Sequence, residues 1–231
     1  MIREYYELVK PGIVYGNALT TVAGFFLALS GPIEWRLLVF VLVGLSFVIA
    51  SACVFNNYVD REIDAKMTRT SSRALAAGHI PSQNALLFGL ALLVLGVVTL
   101  HYTTPLALWV AISGFIVYVF LYTPLKPRSA WALYVGAIAG ATPPVVGYTA
   151  VTGMFDPYTL ALFAALYVWQ IPHFLAIAFY RYEEYKAAGI PLFVRESPGD
   201  ITKRRARVVF YASLVVLLLV CFALILQRWI R

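Results

Sequence analysis

Residues 56–73 read N-N-Y-V-D-R-E-I-D-A-K-M-T-R-T-S-S-R, and they begin where the apolar run Leu37–Phe55 ends. That run is long enough to span a bilayer as a helix. Three carboxylates and four cations therefore meet the membrane surface within one short segment. Ionisable groups at this depth are costly and usually serve a function. A solvated helix end, whose charges pair with one another, is the alternative interpretation.

Three polar residues of this segment are spaced four positions apart, close to one turn of an α-helix. Asn56, Asp60 and Asp64 stand at i, i+4 and i+8, so a helix would stack an amide and two carboxylates on one face. Mg²⁺ prefers oxygen ligands, keeps several waters and is commonly completed by the phosphates of a substrate. We therefore predict a Mg²⁺ site on this row that serves an anionic substrate.

Cations follow the acidic row in two places. Lys66, Arg69 and Arg73 come directly after it, and Lys126 and Arg128 lie among prolines at the end of a later apolar run. Guanidinium and ammonium groups beside a metal site can neutralise the charge that develops on a leaving diphosphate. The pattern favours a site for a diphosphate ester at one face of the membrane.

The composition is typical of an integral membrane protein. The 231 residues are 61% hydrophobic and 13% charged, with a mean hydropathy of +0.81, which excludes a water-soluble globular fold. About seven apolar windows are long enough to cross a hydrocarbon core of roughly 30 Å. We predict one all-α domain over residues 1–231, a multi-pass transmembrane helical bundle around a central cavity open to the cytoplasmic side. The windows lie near residues 12–30, 37–58, 84–102, 106–123, 131–150, 158–180 and 208–228.

The fifth window contains both small residues and a helix breaker. Gly136 and Gly140 have the spacing of close helix contacts, and tight packing explains them as well as a cavity does. Pro143 and Pro144 follow them and predict a break near the middle of the membrane. Non-helical backbone at that depth is tolerated only against protein or a cavity, which supports a cavity among the helices.

Positive charge is concentrated on one side of the predicted bundle. With a cytoplasmic N-terminus, all of the 18 Lys and Arg residues except Arg36, Arg228 and Arg231 fall in cytoplasmic segments. The net charge of +7 then faces anionic headgroups or substrates, as in a protein of the bacterial inner membrane. Nucleic acid is not expected as a partner, because the cations form no separate basic domain. Cys53 and Cys221 lie in separate apolar runs, which indicates packing.

A second polar stretch ends the sixth window. Gln170 and His173 lie inside its apolar run, where polar side chains tend to face the bundle interior. Glu183 and Glu184, flanked by cations, repeat the acidic cluster on the same membrane face and are interpreted as the other half of one site. Mutual pairing of these charges on a solvated helix end is the alternative. The charged loop 191–207 suits either a lid over the site or a positive-inside anchor.

These motifs resemble those of a known family. Asn56-x3-Asp60-x3-Asp64, with the cations after it, resembles the first aspartate-rich motif of the UbiA superfamily of intramembrane prenyltransferases. Within it, Trp169-Gln-Ile-Pro-His-Phe with the later Ala188-Gly-Ile-Pro191 is similar to the protoheme IX farnesyltransferase, or haem O synthase, branch. Quinone-type members carry a second Asp-x3-Asp where this chain has Tyr182-Glu-Glu-Tyr185. Members usually have nine spans, so a count of about seven predicts a chain that is either truncated at its C-terminus or a short variant.

The resemblance implies transfer of a farnesyl group from farnesyl diphosphate to a vinyl group of haem b, with water adding a hydroxyl, to give haem O. It implies Mg²⁺ as cofactor, held by Asn56, Asp60, Asp64, Glu183 and Glu184. The catalytic residues would be Asp60, Asp64, Lys126 and Glu184. The diphosphate would contact Lys66, Arg69, Arg73, Lys126 and Arg128. The aromatic rings of Phe55, Tyr58, Tyr122 and Trp169 would shield an allyl cation.

The resemblance also implies that Gln170 and His173 contact haem. His173 would do so through the iron or through a propionate, and a buried hydrogen-bonded histidine is the alternative. Besides the two substrates and the lipid bilayer, a downstream haem A synthase or terminal oxidase assembly is implied as a partner.

Three other functions stay open at this point. A prenyltransferase that acts on an aromatic or quinone precursor is disfavoured by the missing second Asp-x3-Asp and by His173. A membrane transporter would place acids in mid-span, whereas these acids stand at helix ends beside cations. A non-catalytic assembly factor for an oxidase is the third alternative.

Overall fold

The computed structural model describes residues 2–194 and 196–229, apart from the side chain of Arg228. These residues form helices and connecting turns, without a strand. A π-helical segment, Val117–Tyr122, lies between α5 and α6, and a 3₁₀ turn, Gln227–Trp229, follows α11. The α-helices in chain order are α1 (Ile2–Leu8), α2 (Pro11–Ala28), α3 (Trp35–Asp64), α4 (Ser82–Leu100), α5 (Pro105–Ile116), α6 (Thr123–Leu125), α7 (Ala132–Gly140), α8 (Thr142–Thr152), α9 (Pro157–Tyr180), α10 (Tyr182–Ala187) and α11 (Asp200–Leu226).

Within the described ranges, 6 helical segments are long and apolar enough to cross a membrane. They are α2, α3, α4, Pro105–Leu125, α9 and α11. The predicted all-α transmembrane bundle is therefore confirmed, and all but one of the predicted windows are continuous helical spans. The window at 131–150 differs because it divides into α7 and α8, each too short to cross a bilayer alone.

The break between α7 and α8 lies where the prolines predict it. α7 ends at Gly140, and Ala141 separates it from Thr142, the first residue of α8. Pro143 and Pro144 follow in the first turn of α8, where a missing N–H loses no helical hydrogen bond. Their rings would clash with a helix continuing from α7. Most of α8 is buried, so this irregular joint is surrounded by protein.

α8 packs closely against α2 because each helix offers a glycine to the other. A Cβ at Gly24 of α2 would lie 2.0 Å from the Pro144 carbonyl oxygen. A Cβ at Gly147 of α8 would lie 2.0 Å from the Thr21 carbonyl oxygen. Small residues let membrane helices approach in this way. The contact fixes α8, and with it the joint after α7, against the first span.

The main apolar core lies between α3, α4, α5 and α8. Val41 and Val48 of α3, Leu100 of α4, Phe115 of α5 and Val146 of α8 are all buried there. Close packing of these side chains fixes the positions of the helices that carry them relative to one another. Because the acidic row lies at the C-terminal end of α3, this packing also sets the position of the row.

Candidate active site

The last turns of α3 carry the acidic row. Asn56, Asp60 and Asp64 lie on one face of the helix and are 2%, 1% and 1% exposed. The helix ends at Asp64, whose carbonyl oxygen accepts a hydrogen bond from the Thr70 hydroxyl at 2.9 Å. The three side chains therefore share the buried face that their spacing predicts.

Each aspartate is held by one cation from another segment. Lys126 Nζ donates to Asp60 Oδ2 at 2.6 Å, and Arg73 Nη1 donates to Asp64 Oδ2 at 2.6 Å. Charge-assisted hydrogen bonds of this length are among the stronger polar contacts in proteins. They offset part of the cost of burying two carboxylates so close together.

A third cation, Lys10, completes the row. Its ammonium donates to Asn56 Oδ1 at 2.5 Å. Lys10 joins α1 to α2 in the left-handed conformation, with φ of 52°, which is uncommon for a residue that has a Cβ. Asn57 Nδ2 donates to the Leu8 carbonyl oxygen at 2.7 Å and so holds α1 against α3. Desolvation lowers the pKa of Lys10 to about 8.

Sequence analysis missed Lys10 as a site residue. By its position in the sequence, this lysine is one of the many cations predicted on the cytoplasmic side. The available signal was its place directly before Pro11 and Gly12, where the chain turns into the first span. A cation at that point is carried to the same membrane face as the acidic row.

One oxygen of each aspartate has no hydrogen-bond partner. Asp60 Oδ1 and Asp64 Oδ1 are buried and accept no hydrogen bond from the described residues, and the same holds for Glu184 Oε2 on α10. Leaving a buried acceptor without a partner costs about 1–3 kcal/mol, and more for a charged group. Carboxylate oxygens are hard donors, so the free Oδ1 atoms of Asp60 and Asp64 suit a divalent cation that supplies the missing partner.

Arg69 connects the segment after α3 to the second acidic cluster. Its Nε lies 3.6 Å from Glu184 Oε2, while Glu184 Oε1 accepts a hydrogen bond from Arg181 at 2.6 Å. The Glu184 carboxylate therefore faces the cations that follow the acidic row. Nevertheless, among the residues that the structure describes, no three His, Cys, Asp or Glu side chains converge closely enough to hold a metal ion. A metal bound here would need donors from its substrate.

Glu183 does not face this region. Its Oε1 accepts hydrogen bonds from Ser197 and, at 3.1 Å, from Lys203, and its side chain is 61% exposed. These bonds, that from Ser197 above all, hold the pKa of Glu183 below its usual value. Neighbouring residues on a helix point about 100° apart, and here Glu184 contacts Arg69 and Arg181 whereas Glu183 contacts Ser197 and Lys203. The structure thus separates Glu183 from the other predicted metal ligands.

Two predicted diphosphate contacts also lie apart from the acids. Lys66 and Arg128 are exposed, and neither forms an ion pair with another residue in 2–194 or 196–229. By contrast, Arg69, Arg73 and Lys126 each contact a carboxylate. The structure therefore brings together three of the five predicted diphosphate contacts and adds Lys10 to them.

The π-helical segment positions the cation that follows it. The hydroxyl of Thr123 donates to the carbonyl oxygen of Tyr118 at 2.8 Å and accepts from Asn56 Nδ2 at 3.0 Å. A π-helical segment inserts one residue into a helix and often occurs at functional sites. Here it aims Thr123 at the acidic row, and Lys126, one turn further on, reaches Asp60.

A cavity of about 340 Å³ lies in the middle of the bundle, between residues of α2, α3, α5, α7, α8, α9 and α11. Tyr122 and Trp169 line it, whereas Tyr58 contacts a guanidinium group and Phe55 another phenyl ring. Tyr122 also lines a second cavity, of about 240 Å³, which reaches Lys126. Two of the four aromatic rings predicted to shield a cation thus face the larger cavity.

Gln170 and His173 of α9 both line the larger cavity. Gln170 is buried, and its Nε2 donates to the Leu166 carbonyl oxygen at 3.2 Å. A Cβ at Gly140 would lie 2.1 Å from Gln170 Oε1, so the glycine makes room for this amide. His173 Nδ1 lies 2.7 Å from Ser213 Oγ on α11. The polar pair therefore faces the bundle interior.

The chain matches one protein family and is similar to curated proteins named protoheme IX farnesyltransferase. Residues 17–230 match the UbiA prenyltransferase family. Protoheme IX farnesyltransferase of Cronobacter sakazakii is 45% identical over 194 residues, which cover 83% of this chain and 66% of that protein. Protoheme IX farnesyltransferase of Protochlamydia amoebophila is 46% identical over 206 residues, which cover 89% and 73%. The chain thus spans only part of the length of these curated relatives.

Solved structures share its fold. A UbiA homologue from Archaeoglobus fulgidus bound to DMAPP and Mg²⁺ superposes with a TM-score of 0.68 at 18% identity, covering 98% of this chain and 85% of the other. A digeranylgeranylglyceryl phosphate synthase superposes with a TM-score of 0.70 at 18% identity, covering 99% and 86%. Such identities establish the likeness of fold alone, whereas the family match extends over residues 17–230. This integral membrane protein therefore belongs to the UbiA prenyltransferase family.

Proposed function

We propose that this protein transfers the farnesyl group of farnesyl diphosphate to a vinyl group of haem b and so makes haem O. The shared name of its relatives supports these two substrates. The observation that carries the proposal is the buried pair Asp60 and Asp64, each held by a cation through Oδ2 and each with an unpartnered Oδ1. Acids arranged in this way beside a membrane cavity suit a metal-bound diphosphate whose apolar chain lies among the helices.

The proposed reaction breaks the bond between farnesyl C1 and the diphosphate oxygen, and the diphosphate leaves with the electron pair. C1 forms a carbon–carbon bond to the vinyl group. Water adds a hydroxyl to the remaining vinyl carbon and releases one proton. Stabilising the charge on the departing diphosphate is therefore the main electrostatic task of the site.

The residues at the end of α3 fit a bound Mg²⁺. Asp60 and Asp64 would hold it through their free Oδ1 atoms, and Asn56 and Glu184 are the further predicted ligands. When bound, the ion adds positive charge beside the diphosphate oxygens. UbiA homologues solved with DMAPP and Mg²⁺ and with GPP and Mg²⁺ support the use of a divalent metal.

Lys126, Arg73 and Arg69 would bind the leaving diphosphate. Their side chains already lie at the acidic residues, so they need little rearrangement to reach a diphosphate bound there. Lys66 and Arg128 would have to move toward the site to take part. Tyr122 and Trp169 line the cavity in which an allyl cation would form, and their π faces are suited to stabilise it.

Product analysis with the purified full chain tests the proposal. Labelled farnesyl diphosphate is incubated with Mg²⁺ and either haem b or 4-hydroxybenzoate, and the products are identified by mass spectrometry. We expect a farnesylated and hydroxylated haem, with unchanged benzoate. A prenylated benzoate with unchanged haem would instead support an aromatic or quinone precursor as the acceptor. No release of diphosphate with either acceptor would rule out the enzymatic proposal.

We also propose that the charged face lies in the cytoplasm of a bacterial cell and that haem O passes to a haem A synthase or terminal oxidase assembly. Cysteine labelling tests the orientation, because Lys66 and Arg36 are exposed at opposite ends of α3 while Cys53 and Cys221 are buried. In intact cells, a membrane-impermeant maleimide should label Arg36→Cys and leave Lys66→Cys unlabelled. The reverse pattern would contradict the proposed orientation.

A further inference from the structure

His173 is held between two spans by a chain of hydrogen bonds. The Ser213 hydroxyl donates to the Phe210 carbonyl oxygen at 2.7 Å, and Ser213 Oγ lies 2.7 Å from His173 Nδ1. A serine hydroxyl has one proton and can accept further hydrogen bonds. Since that proton is directed to Phe210, His173 Nδ1 must be the donor in the second bond. The neutral imidazole therefore carries its proton on Nδ1 and a lone pair on Nε2.

Aromatic contacts fix the orientation of this ring. Trp169 stacks on His173 with ring centroids 4.9 Å apart and an interplanar angle of 21°, and the Phe210 ring lies at the same distance. Trp169 Nε1 also donates to the Ser213 carbonyl oxygen at 3.1 Å, which ties α9 to α11 at this level. The ring is thus held at Nδ1 and packed against two aromatic rings, so its Nε2 edge has a defined direction.

Nε2 is the free edge of the ring. It forms no hydrogen bond with a residue in the described ranges, and His173 lines the cavity of about 340 Å³. The Nδ1–H tautomer has no proton on Nε2, so Nε2 is a hydrogen-bond acceptor. A carboxylate also only accepts hydrogen bonds and therefore cannot form one with Nε2. This excludes a direct hydrogen bond from this tautomer to a propionate. A lone pair on imidazole, in contrast, is a common ligand for iron.

Resting on the proposed function, which brings an iron porphyrin into this cavity, we infer that His173 Nε2 is an axial ligand of the substrate iron and that Ser213 is the positioning residue that fixes the required tautomer. Histidines that bind metals typically donate their other N–H to an acceptor, and this bond sets the ring orientation and raises the basicity of the ligating nitrogen. Ligation would hold the macrocycle at a fixed height in the bundle while a vinyl group reacts.

Porphyrin binding in the absence of farnesyl diphosphate tests the ligation. The purified full chain is titrated with haem b and with iron-free protoporphyrin IX, and visible absorption is recorded. We expect wild type to bind haem b with the spectrum of histidine-ligated iron. His173→Ala should lose that spectrum and about 10-fold or more of the haem affinity, yet bind protoporphyrin IX as wild type does. An unchanged haem spectrum, or equal losses for both porphyrins, would overturn the inference.

The iron-free porphyrin also reports whether a variant has kept its fold. If His173→Ala no longer binds protoporphyrin IX, the same comparison is made with His173→Gln, which fills more of the site and offers no imidazole. Loss of the histidine-type spectrum with retained protoporphyrin IX binding supports ligation. Retention of the spectrum contradicts it.

Ser213 is tested by its effect on the iron–histidine bond. Ser213→Ala should lower haem affinity by roughly 10-fold and shift the iron–nitrogen stretch in the resonance Raman spectrum, because Nδ1–H loses its acceptor. Ser213→Thr keeps a hydroxyl and should restore both. The matched control is Ser113→Ala, since the exposed Ser113 also donates to a carbonyl oxygen three residues back, at 2.8 Å, but contacts no histidine. Equal spectra for the alanine variants at 213 and 113 would contradict the positioning role.

These results separate the inference from the proposed function. Haem bound through His173 without any farnesyl transfer would refute the function and leave the ligation in place. Farnesyl transfer to haem b by wild type, together with an unchanged iron spectrum in His173→Ala, would refute the ligation and leave the function in place.

Discussion

Asp60 is the single residue on which the proposed chemistry depends most directly. Asp60→Asn keeps the shape of the side chain and an acceptor for Lys126 but removes the negative charge. We expect kcat to fall by about 10²–10³-fold, the range found when one electrostatic contact to a transition state is lost. The measurement is Mg²⁺-dependent release of diphosphate from farnesyl diphosphate with haem b.

The matched control for this variant is Glu62→Gln. Glu62 lies two residues further along α3, is exposed and pairs with Arg61 at 3.3 Å. Its amide variant should keep wild-type activity and a wild-type yield of folded protein. Full activity in Asp60→Asn would mean that the Asp60 carboxylate has a structural role only.

Lys10 provides a second prediction for a single residue. Lys10→Gln can still donate to Asn56 Oδ1 but carries no charge for a diphosphate. We expect KM for farnesyl diphosphate to rise by roughly 10-fold with a smaller change in kcat, since one charge-assisted hydrogen bond contributes about 1.5–3 kcal/mol. Arg3→Gln is the control, because Arg3 is an exposed cation of α1 that pairs with Glu7. Equal kinetic shifts in both variants would point to a general loss of positive charge.

Sequence reasoning at this scale succeeded where the geometry is local. Asn56, Asp60 and Asp64 share a face because every helix has the same periodicity. The contacts of Lys10 with Asn56 and of His173 with Ser213 join residues 46 and 40 positions apart, so they depend on how the spans pack. Periodicity within one segment carries no information about such pairs.

Helix packing makes Gly147 of α8 sensitive to substitution. In Gly147→Ala the new Cβ would lie 2.0 Å from the Thr21 carbonyl oxygen. This oxygen belongs to the backbone of α2, so it cannot move aside by a change of rotamer. We expect a loss of about 1–3 kcal/mol in the free energy of unfolding, which is typical of overpacking. Thermal unfolding in detergent measures it.

Gly16→Ala is the control for this helix contact. Nothing lies within 4 Å of a Cβ at Gly16 of α2, so alanine should leave the melting temperature unchanged or raise it by helix propensity. A melting temperature in Gly147→Ala equal to that of wild type would contradict the close approach of α2 and α8.

The sequence predicts the elements unequally. Proline chemistry predicts the joint between α7 and α8, because the ring excludes a continuous helix wherever it occurs. The π-helical segment Val117–Tyr122 has no comparable signal, since its residues V-Y-V-F-L-Y suit an ordinary apolar helix. The direction of Glu183 was likewise beyond prediction, because it depends on the rotation of α10, a helix of 6 residues. Such features are set by neighbouring helices.

At the scale of the whole molecule, the acidic row gathers cations from three parts of the chain. Lys10 precedes α2, Arg73 follows α3 and Lys126 follows α6. A ligand that binds all three should stabilise the bundle as a unit. We expect inorganic diphosphate with Mg²⁺ to raise the melting temperature. At a diphosphate concentration of 100 times Kd, binding should add about 2.7 kcal/mol to the free energy of unfolding. Differential scanning fluorimetry in detergent measures the shift.

The controls are diphosphate with EDTA, Mg²⁺ alone, and Asp64→Asn with both ligands. Each should give a smaller shift than wild type with diphosphate and Mg²⁺ together. An equal shift with EDTA would show that diphosphate binds to the cations without a metal.

The extra residue in the π-helical segment Val117–Tyr122 makes the site depend on a count of residues. The wide turn holds that residue while the helix on either side keeps its orientation, so deleting one residue there would restore regular α-helix and leave Lys126 directed at Asp60. A second deletion would have no extra residue to remove and would rotate everything downstream by about 100°, which would carry the ammonium of Lys126 away from the Asp60 carboxylate. We therefore expect this short stretch to tolerate the loss of one residue far better than the loss of two, because chain length there acts as the spacer that aligns two spans.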